Sequence, residues 1–233
     1  MDDVAILIPA YDPDAKLAAL VDGLRGAFRH LVLVDDGSTR GRDVLESVRD
    51  RVDVLLVHDA NRGKGAALRT GFAWIRDNLP GVRAVVTADS DGQHRPADIR
   101  RVAEASLGHP DGLVLGVREF AGRVPFRSQL GNVWTRVLFR LLTGLPVRDT
   151  QTGLRGIPRG LLDRLLAIPG DRYEYEIRML VDARRHPAPP RQIPIETVYI
   201  DGNKSSHFRP FQDTVATQRA LLGARLAQLF VRS

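Results

Sequence analysis

The chain has 233 residues, of which 43% are hydrophobic, so its length and composition suit one large α/β domain with a full core. It contains no cysteine, which excludes disulfides, zinc–thiolate sites and thiol nucleophiles and fits a reducing compartment. The net charge of +6 is compatible with phosphorylated substrates or anionic lipid headgroups, whereas no nucleic-acid-binding motif accompanies it, and we expect no nucleic-acid partner.

The first half of the chain alternates short apolar runs with helical patterns, which is typical of βα units and a mostly parallel sheet. We predict strands over residues 4–8, 31–34, 52–57, 84–88 and 112–116, and helices over residues 16–28, 66–78 and 96–107. Pro96 stands at the first position of the last of these helices, where proline is favoured. A turn is predicted directly after the second strand.

The second half of the chain is predicted to be more irregular. We predict, in order, a strongly amphipathic helix over residues 128–142, a strand near 153–157, a helix over 173–185, a strand over 193–199, a basic loop and a final helix. We assign residues 1–210 to the main domain and 211–233 to a C-terminal helical extension of it. No apolar run reaches the roughly 18 residues needed to cross a bilayer.

Polar segments follow four of the predicted strands. They are PAYD at 9–12, DDGS at 35–38, NRGK at 61–64 and DSD at 89–91. In open α/β sheets, ligands bind beyond the carboxyl ends of the strands, so we expect the four segments to converge on one crevice.

The DSD segment predicts a metal site. Asp89 and Asp91 are two carboxylates one residue apart at a strand end, and a hard cation would compensate their charge. Gln93 can add a carbonyl oxygen. Oxygen ligands favour Mg²⁺ or Mn²⁺ over zinc. An ordinary acidic turn has the same local pattern.

The four motifs together resemble family 2 glycosyltransferases with the GT-A fold. IPAY at 8–11, LVDDGS at 33–38, NRGKG at 61–65 and TADSDGQH at 87–94 occur in that family's order and spacing, over roughly residues 3–210. The resemblance implies a Rossmann-like, mostly parallel central sheet flanked by helices, with C-terminal amphipathic helices. It is closest to the branch of dolichyl-phosphate mannose synthase and polyprenyl-phosphate glycosyltransferases, through DGQH at 91–94, RDTQTGLR at 148–155 and YIDGNKSSHFR at 199–209.

The resemblance implies a donor pocket at the first two strand ends. Pro9, Tyr11 and Asp36 would line the site for the base and ribose, with Asp12 or Asp14 near the family's usual acidic position. The family commonly has Asn-Glu after the tyrosine, and this chain has DPD at 12–14, so the base specificity stays open. Lys64 would lie near the donor phosphates together with Asp89, although a simple helix-capping loop explains the same glycine-flanked lysine.

The resemblance also implies an acceptor side. Arg118, Arg127 and Ser128 would hold the acceptor phosphate, and Asp149 matches the branch's catalytic aspartate, alongside Asp91. A basic loop would close over the phosphates through Lys204, His207 and Arg209. Two further acids, Glu174 and Glu176, are suited either to contact sugar hydroxyls or, as we prefer, to provide favourable charge in the first turn of a helix.

These residues predict a metal-dependent, inverting glycosyltransferase. It would move a hexose from a nucleotide sugar, GDP-mannose or UDP-glucose, to a polyprenyl phosphate of the dolichyl or undecaprenyl type. One alternative is a soluble glycosyltransferase acting on a sugar or small-molecule hydroxyl, and another is a noncatalytic nucleotide-sugar-binding scaffold. We expect a cytoplasmic protein, since its acidic start lacks the features of a secretory signal. A peripheral contact of helix 128–142 with the cytoplasmic face of the membrane is left open, because a helix packed on the sheet has the same pattern.

Overall fold

The computed structural model describes residues 1–118, 139–140 and 143–196. The strands are β1 (Val4–Ala10), β2 (His30–Asp35), β3 (Val54–Val57), β4 (Ala84–Thr87), β5 (Val114–Arg118), β6 (Arg155–Pro158) and β7 (Arg191–Ile195). The helices that flank the sheet are α1 (Ala15–Leu24), α2 (Arg42–Val48), α3 (Lys64–Asn78), α4 (Pro96–Leu107), α5 (Leu162–Leu166) and α6 (Glu174–Asp182). Short 3₁₀ turns follow α2, β6 and α6.

The strands form one mixed sheet in the order β3-β2-β1-β4-β6-β5-β7. Strands β3, β2, β1 and β4 are parallel, and β5 is parallel to β7. Strand β6 lies between β4 and β5 and is antiparallel to both. Because Thr87 pairs with Arg155, β6 begins beside the point where β4 ends. The mostly parallel α/β sheet expected from the sequence is confirmed, and its antiparallel strand brings a second segment to the carboxyl edge.

Both faces of the sheet are buried, as expected for parallel strands covered by helices. All seven residues of β1 are buried. Its alternate side chains belong to two separate hydrophobic clusters: Leu7 packs in the cluster that contains Phe72 of α3, and Ile6 in the cluster that contains Leu17 of α1. The continuous apolar run at the start of the sequence therefore forms a central strand, and its end is rigidly placed.

Most predicted elements are found, with shifted ends. Helix α1 stops at Leu24 rather than continuing to residue 28, because the backbone at Arg25 turns to an extended conformation. Residues 42–48 form α2, which the sequence analysis did not predict. Helix α4 begins at Pro96 as predicted. The predicted helix over 128–142 and the C-terminal helix lie wholly or mostly outside the described residues.

The helices in the described ranges are too short or too polar to cross a membrane.

Candidate active site

The carboxyl ends of β1, β2 and β4 and the start of β6 meet at one edge of the sheet. Residues 88–94 form a compact turn after β4. The backbone N–H of Asp89 donates to Nδ1 of His94 at 3.1 Å, and the N–H of Gln93 donates to Oδ1 of Asp91 at 3.0 Å. Gly92, at φ 77°, supplies the left-handed conformation that this turn requires. The turn places both acids directly after the carboxyl end of β4.

Asp89 belongs to a half-buried ion cluster. Its Oδ1 lies 2.7 Å from Nζ of Lys64, which is also 3.1 Å from Oε2 of Glu176. Burial raises the pKa of Asp89, but the charge of Lys64 and its hydrogen bond outweigh that effect and bring the pKa to about 2. Burial likewise lowers the pKa of Lys64, while Asp89 and Glu176 raise it above its usual value. Both groups therefore stay charged.

Asp91 and His94 have environments that oppose their charged forms. Burial and the neighbouring charge of Asp89 together raise the pKa of Asp91. Burial lowers the pKa of His94, and the ring accepts the Asp89 N–H through Nδ1, so the neutral ring with its proton on Nε2 fits this geometry. Asp91 thus lacks a compensating cation of its own.

A divalent cation fits this donor set. Among residues 1–118, 139–140 and 143–196, no three histidine or acidic side chains form a metal cluster by themselves. That is compatible with Mg²⁺, which is commonly held by one or two carboxylates together with substrate phosphates. Asp89 and Asp91 would be the protein ligands, and a cation would supply the charge that Asp91 lacks. Nothing in the described contacts assigns a ligand role to the side chain of Gln93.

A glycine lets the β6 segment approach Asp89 closely. A Cβ on residue 153 would lie 2.2 Å from Oδ2 of Asp89, so only glycine fits there without a shift of the carboxylate. The segment is fixed in this position because the hydroxyl of Thr87 donates to the carbonyl oxygen of Gly153 at 2.7 Å. Any larger side chain at residue 153 would displace the Asp89 carboxylate.

Asp36 organises the loop that leads into α3. Its Oδ1 contacts Nδ1 of His58 at 2.7 Å and accepts from the N–H of Arg62, while Oδ2 accepts from the N–H of Gly63 at 2.7 Å. The other ring nitrogen of His58 lies 2.9 Å from the hydroxyl of Thr70 on α3. The predicted donor residue Asp36 therefore sets the start of α3, and through it the position of the helix's first residue, the lysine that reaches Asp89.

The two acids after β1 have different positions. Asp14 caps α1 by accepting from the N–H of Lys16. Asp12, at φ 48°, accepts from the backbone N–H of Thr39 and Arg40 and from the Arg40 side chain at 3.1 Å, and it ties the β1 loop to the β2 loop. Burial raises the pKa of Asp12, but these hydrogen bonds outweigh it and lower the pKa. The structure therefore favours Asp12 over Asp14 as the acid at the pocket.

The other predicted donor residues lie beside this connection. Pro9 is buried in β1 and pairs with Val34 of β2, and Tyr11 is half-buried directly after the strand. The hydroxyl of Ser38 accepts the N–H of Asp12 at 2.8 Å, which closes the gap between the two loops. All of these residues share the carboxyl edge of β1 and β2.

The two predicted acceptor residues that the structure describes are paired with each other. Arg118 at the end of β5 donates to both oxygens of Asp149, from Nε at 2.7 Å and from Nη2 at 3.1 Å. The side chain of Asp149 is only 5% exposed, and its Oδ1 also accepts from the N–H of Gln151. The predicted residues Arg127, Ser128, Lys204, His207 and Arg209 lie outside the described part of the chain.

A model of the family described as "Glycosyl transferase family 2" matches residues 5–166. The chain belongs to glycosyl transferase family 2. The match runs from β1 to the end of α5, and so includes Asp36, Lys64, Asp89 and Asp149. This family 2 chain is accordingly a glycosyltransferase enzyme, as the sequence analysis predicted.

Curated relatives of this glycosyltransferase act on polyprenyl phosphates, as their names state. The chain is 27% identical over 223 residues to UDP-N-acetylglucosamine–dolichyl-phosphate N-acetylglucosaminyltransferase of Methanococcus voltae, covering 85% of this chain and 86% of the relative. It is 29% identical over 184 residues to polyprenol monophosphomannose synthase of Mycolicibacterium smegmatis, covering 74% of this chain and 68% of the relative.

Solved structures show the same fold at lower identity. Glucosyl-3-phosphoglycerate synthase from Mycobacterium tuberculosis, crystallised with Mn²⁺, UDP and glucosyl-3-phosphoglycerate, superposes with a TM-score of 0.67 at 19% identity. The superposition covers 96% of this chain and 78% of that protein. The GT-A architecture of the family 2 chain is therefore confirmed.

Sequence reasoning missed three features of this site. Glu174 and Glu176 do lie in the first turn of α6, as preferred from the sequence, but the contact of Glu176 with Lys64 was not predicted. Glu174 accepts from the N–H of Asp171 in the loop before α6. His58 and Gly153 carried no motif of their own. The only available signal was position, since His58 follows β3 directly and Gly153 lies two residues before β6.

Arg155 is buried beside Glu176, on the side of the ion cluster of Asp89, Lys64 and Glu176. It is 1% exposed, and it donates from Nε to the carbonyl oxygen of Thr152 and from Nη1 to that of Glu176 at 2.6 Å. Its Nη2 lies 4.0 Å from Oε1 of Glu176 without forming a hydrogen bond. Burial lowers the pKa of Arg155. This arginine links the β6 segment to α6 and holds the acid that faces Lys64.

Proposed function

We propose that this glycosyltransferase moves a hexose from a nucleotide sugar to a polyprenyl phosphate, with inversion and with Mg²⁺ or Mn²⁺. The main support for the proposal is that two groups of charged side chains lie at the same edge of the sheet. One group contains Asp89 and Asp91 after β4 together with Lys64 at the start of α3, and the other contains Arg118 and Asp149 beside β5 and β6. The names of the relatives support the acceptor class, and the Mn²⁺ of the structural neighbour supports the cation.

Each residue has a separate task in this proposal. Asp89 and Asp91 hold the cation, which, when bound, neutralises the departing nucleoside diphosphate. The ammonium of Lys64 contacts the donor phosphates, and the loops joined by Asp12 and Asp36 form the base and ribose pocket. These residues hold the donor with its anomeric carbon facing the acceptor side.

The acceptor side suits a phosphate better than a hydroxyl. A phosphate oxygen is already ionised at neutral pH and needs no strong base. Both oxygens of Asp149 already accept hydrogen bonds from Arg118, and Oδ1 also accepts the N–H of Gln151, so little acceptor capacity is left for a substrate hydroxyl. In our proposal Asp149 orients Arg118, whose guanidinium, together with Arg127 and Ser128, binds the acceptor phosphate.

A donor-by-acceptor screen with the cation present tests this function. GDP-mannose and UDP-glucose are each incubated with dolichyl phosphate, undecaprenyl phosphate, phosphoglyceric acid and free sugars, and products are identified by mass. We expect a glycosylated polyprenyl phosphate with the opposite anomeric configuration to the donor. Transfer only to phosphoglyceric acid or to a sugar would replace the proposal with the soluble alternative, and a retained configuration would contradict the single displacement.

We also propose that the enzyme works at the cytoplasmic face of the membrane, through residues 128–142 as an interfacial helix. Flotation with liposomes that contain anionic lipid measures this contact directly. The protein should float with vesicles containing polyprenyl phosphate. Failure to float with any vesicle composition would remove the peripheral-membrane part of the proposal and leave the reaction itself intact.

A further inference from the structure

Lys64 occupies the carboxylate that the proposed cation needs. Its Nζ is 2.7 Å from Oδ1 of Asp89, and both oxygens of Asp89 lie close to Gly153, within 2.6 Å of the position that a Cβ there would take. A Mg²⁺ ion lies about 2.1 Å from its oxygen ligands. An ammonium at hydrogen-bond distance from the same carboxylate would repel it strongly. Lysine and metal therefore compete for Asp89.

Glu176 offers Lys64 a second partner. Its Oε2 is 3.1 Å from the same Nζ, and the acid is 8% exposed. Glu176 is itself held in place by the buried Arg155, whose guanidinium lies 4.0 Å from Oε1. Lys64 can thus give up Asp89 without becoming an unpaired buried charge, which would be costly.

We propose that Lys64 is a built-in counter-ion that neutralises Asp89 before the metal binds and is exchanged for the metal, while Glu176 positions the displaced ammonium beside the donor phosphates. The inference rests on the proposed metal-dependent transfer and adds a role for two residues within it. Asp89 has a cation beside it both before and after the metal binds, so the negative charges of Asp89 and Asp91 are never both without compensation. Glu176 acts through Lys64 and is a positioning residue.

The lysine content of the chain allows the exchange to be observed directly. The sequence contains three lysines, Lys16, Lys64 and Lys204. Protein labelled with ¹³C and ¹⁵N only in lysine therefore gives few side-chain NMR signals, and Lys64→Met assigns the one from Lys64. We expect this signal to shift when Mg²⁺ is added, with or without UDP or GDP. The signal of Lys16, which pairs with the exposed Asp14, should stay in place.

Two variants should change metal affinity in opposite directions. Lys64→Met removes the competitor, so the Mn²⁺ dissociation constant of the nucleotide-free protein should fall at least about fivefold, the lower end of typical coupling effects. Glu176→Gln leaves Lys64 with Asp89 as its main partner, so Mn²⁺ should bind more weakly by a similar factor. Both variants should weaken UDP or GDP binding in the presence of metal. Free Mn²⁺ is measured by electron paramagnetic resonance.

A matched control separates exchange from a general change in charge. Arg62 is exposed and lies two residues from Lys64, so Arg62→Gln removes one positive charge from the same loop without touching Asp89. We expect its Mn²⁺ affinity to match the wild type. An equal tightening in Arg62→Gln and Lys64→Met would overturn the exchange and leave only long-range electrostatics.

The inference and the proposed function fail in different ways. A wild-type protein that binds no Mn²⁺, even with UDP or GDP present, would contradict the metal-dependent function itself. Wild-type binding of Mn²⁺ with an unmoved Lys64 signal, or with no gain in Lys64→Met, would overturn only the exchange. Circular dichroism and urea unfolding identify any variant that has lost its fold. In that case the Mg²⁺ titration of the wild-type protein, followed through the Lys64 signal, decides whether the exchange takes place.

Discussion

Arg118 and Asp149 form a two-point ion pair on the proposed acceptor side of the site, with Nε 2.7 Å from Oδ2 and Nη2 3.1 Å from Oδ1. The two residues are 31 positions apart, and one ends β5 while the other precedes β6. Because the guanidinium is planar, this contact fixes the plane of both groups. Neither residue can be altered without changing the orientation of the other.

Substitution of Arg118 should reduce use of the acceptor more than use of the donor. Arg118→Lys keeps the charge but cannot hold both oxygens, so we expect kcat/KM for polyprenyl phosphate to fall on the order of tenfold, which corresponds to one charge-assisted hydrogen bond. Steady-state kinetics with each substrate varied in turn measures the effect. If Asp149 acts only through Arg118, adding Asp149→Asn to Arg118→Gln should cost little more, whereas multiplicative losses would give Asp149 an independent role.

Substitution of Gly153 should inactivate the enzyme while preserving the fold. In Gly153→Ala, the added methyl carbon would lie 2.2 Å from Oδ2 of Asp89 and must push the carboxylate aside. A misplacement of about 1 Å at a reacting centre can cost about a hundredfold in rate, and we expect a loss of that order here. Activity and Mn²⁺ binding are the measurements. Gly160→Ala is the control, since a Cβ at Gly160 has no neighbour within 4 Å, and equal losses in both variants would contradict the prediction.

Substitution of Asp36 should loosen the donor loop. Asp36→Asn places an amide NH₂ against His58 or against the N–H groups of Arg62 and Gly63, which now donate to the carboxylate. One unsatisfied buried donor costs about 1–3 kcal/mol, so the free energy of unfolding should fall by that amount and the KM for the nucleotide sugar should rise. Urea unfolding and donor kinetics test this. The exposed Asp43→Asn should change neither quantity.

Asp182 should contribute stability that depends on pH. It pairs with Arg164 at 3.0 Å and with His186 at 3.3 Å. Burial raises its pKa, but the hydrogen bonds from His186 and Arg164 outweigh this and bring the pKa to about 2, below the ordinary 3.8. A lowered pKa stabilises the fold above the unfolded-state value, and this contribution is lost as the pH falls from about 4 toward 2.

Asp182→Asn should therefore lower the free energy of unfolding at pH 7 by roughly 2 kcal/mol, and the difference from wild type should narrow below about pH 4. Urea unfolding at pH 7, 5, 4 and 3 measures it. The neighbouring Asp163 has a side chain that is 81% exposed, so Asp163→Asn serves as the control and should show a much smaller change. A constant difference between wild type and Asp182→Asn across this pH range would contradict the assignment.

The donor half of the site could be predicted from the sequence because its signals are local. Each of β1, β2 and β4 is a short apolar run followed at once by polar residues, and parallel strands bring such ends to one edge. Pro96 marked the start of α4 for an equally local reason, since proline suits the first turn of a helix. Asp89 and Asp91 were therefore identified before any contact was known.

The contacts that join the two halves could not be predicted, because they depend on packing between distant segments. Glu176 meets Lys64 across more than a hundred residues, and its local sequence only indicated a helix start. Helix α2 could not be predicted because it is short and carries only two buried side chains, Leu45 and Val48, which are too few for a periodic signal. The antiparallel direction of β6 likewise depends on its neighbours.

Strand β6 separates the segment between β5 and β6 from the strands that support Asp89. The chain leaves the sheet at Arg118 and returns at Arg155, and both points lie at the rim of the site. The residues between these two points can therefore differ in length or chemistry without altering any strand that supports Asp89. We expect the choice of acceptor to change through this one segment, while the side chains proposed to bind the donor keep their positions.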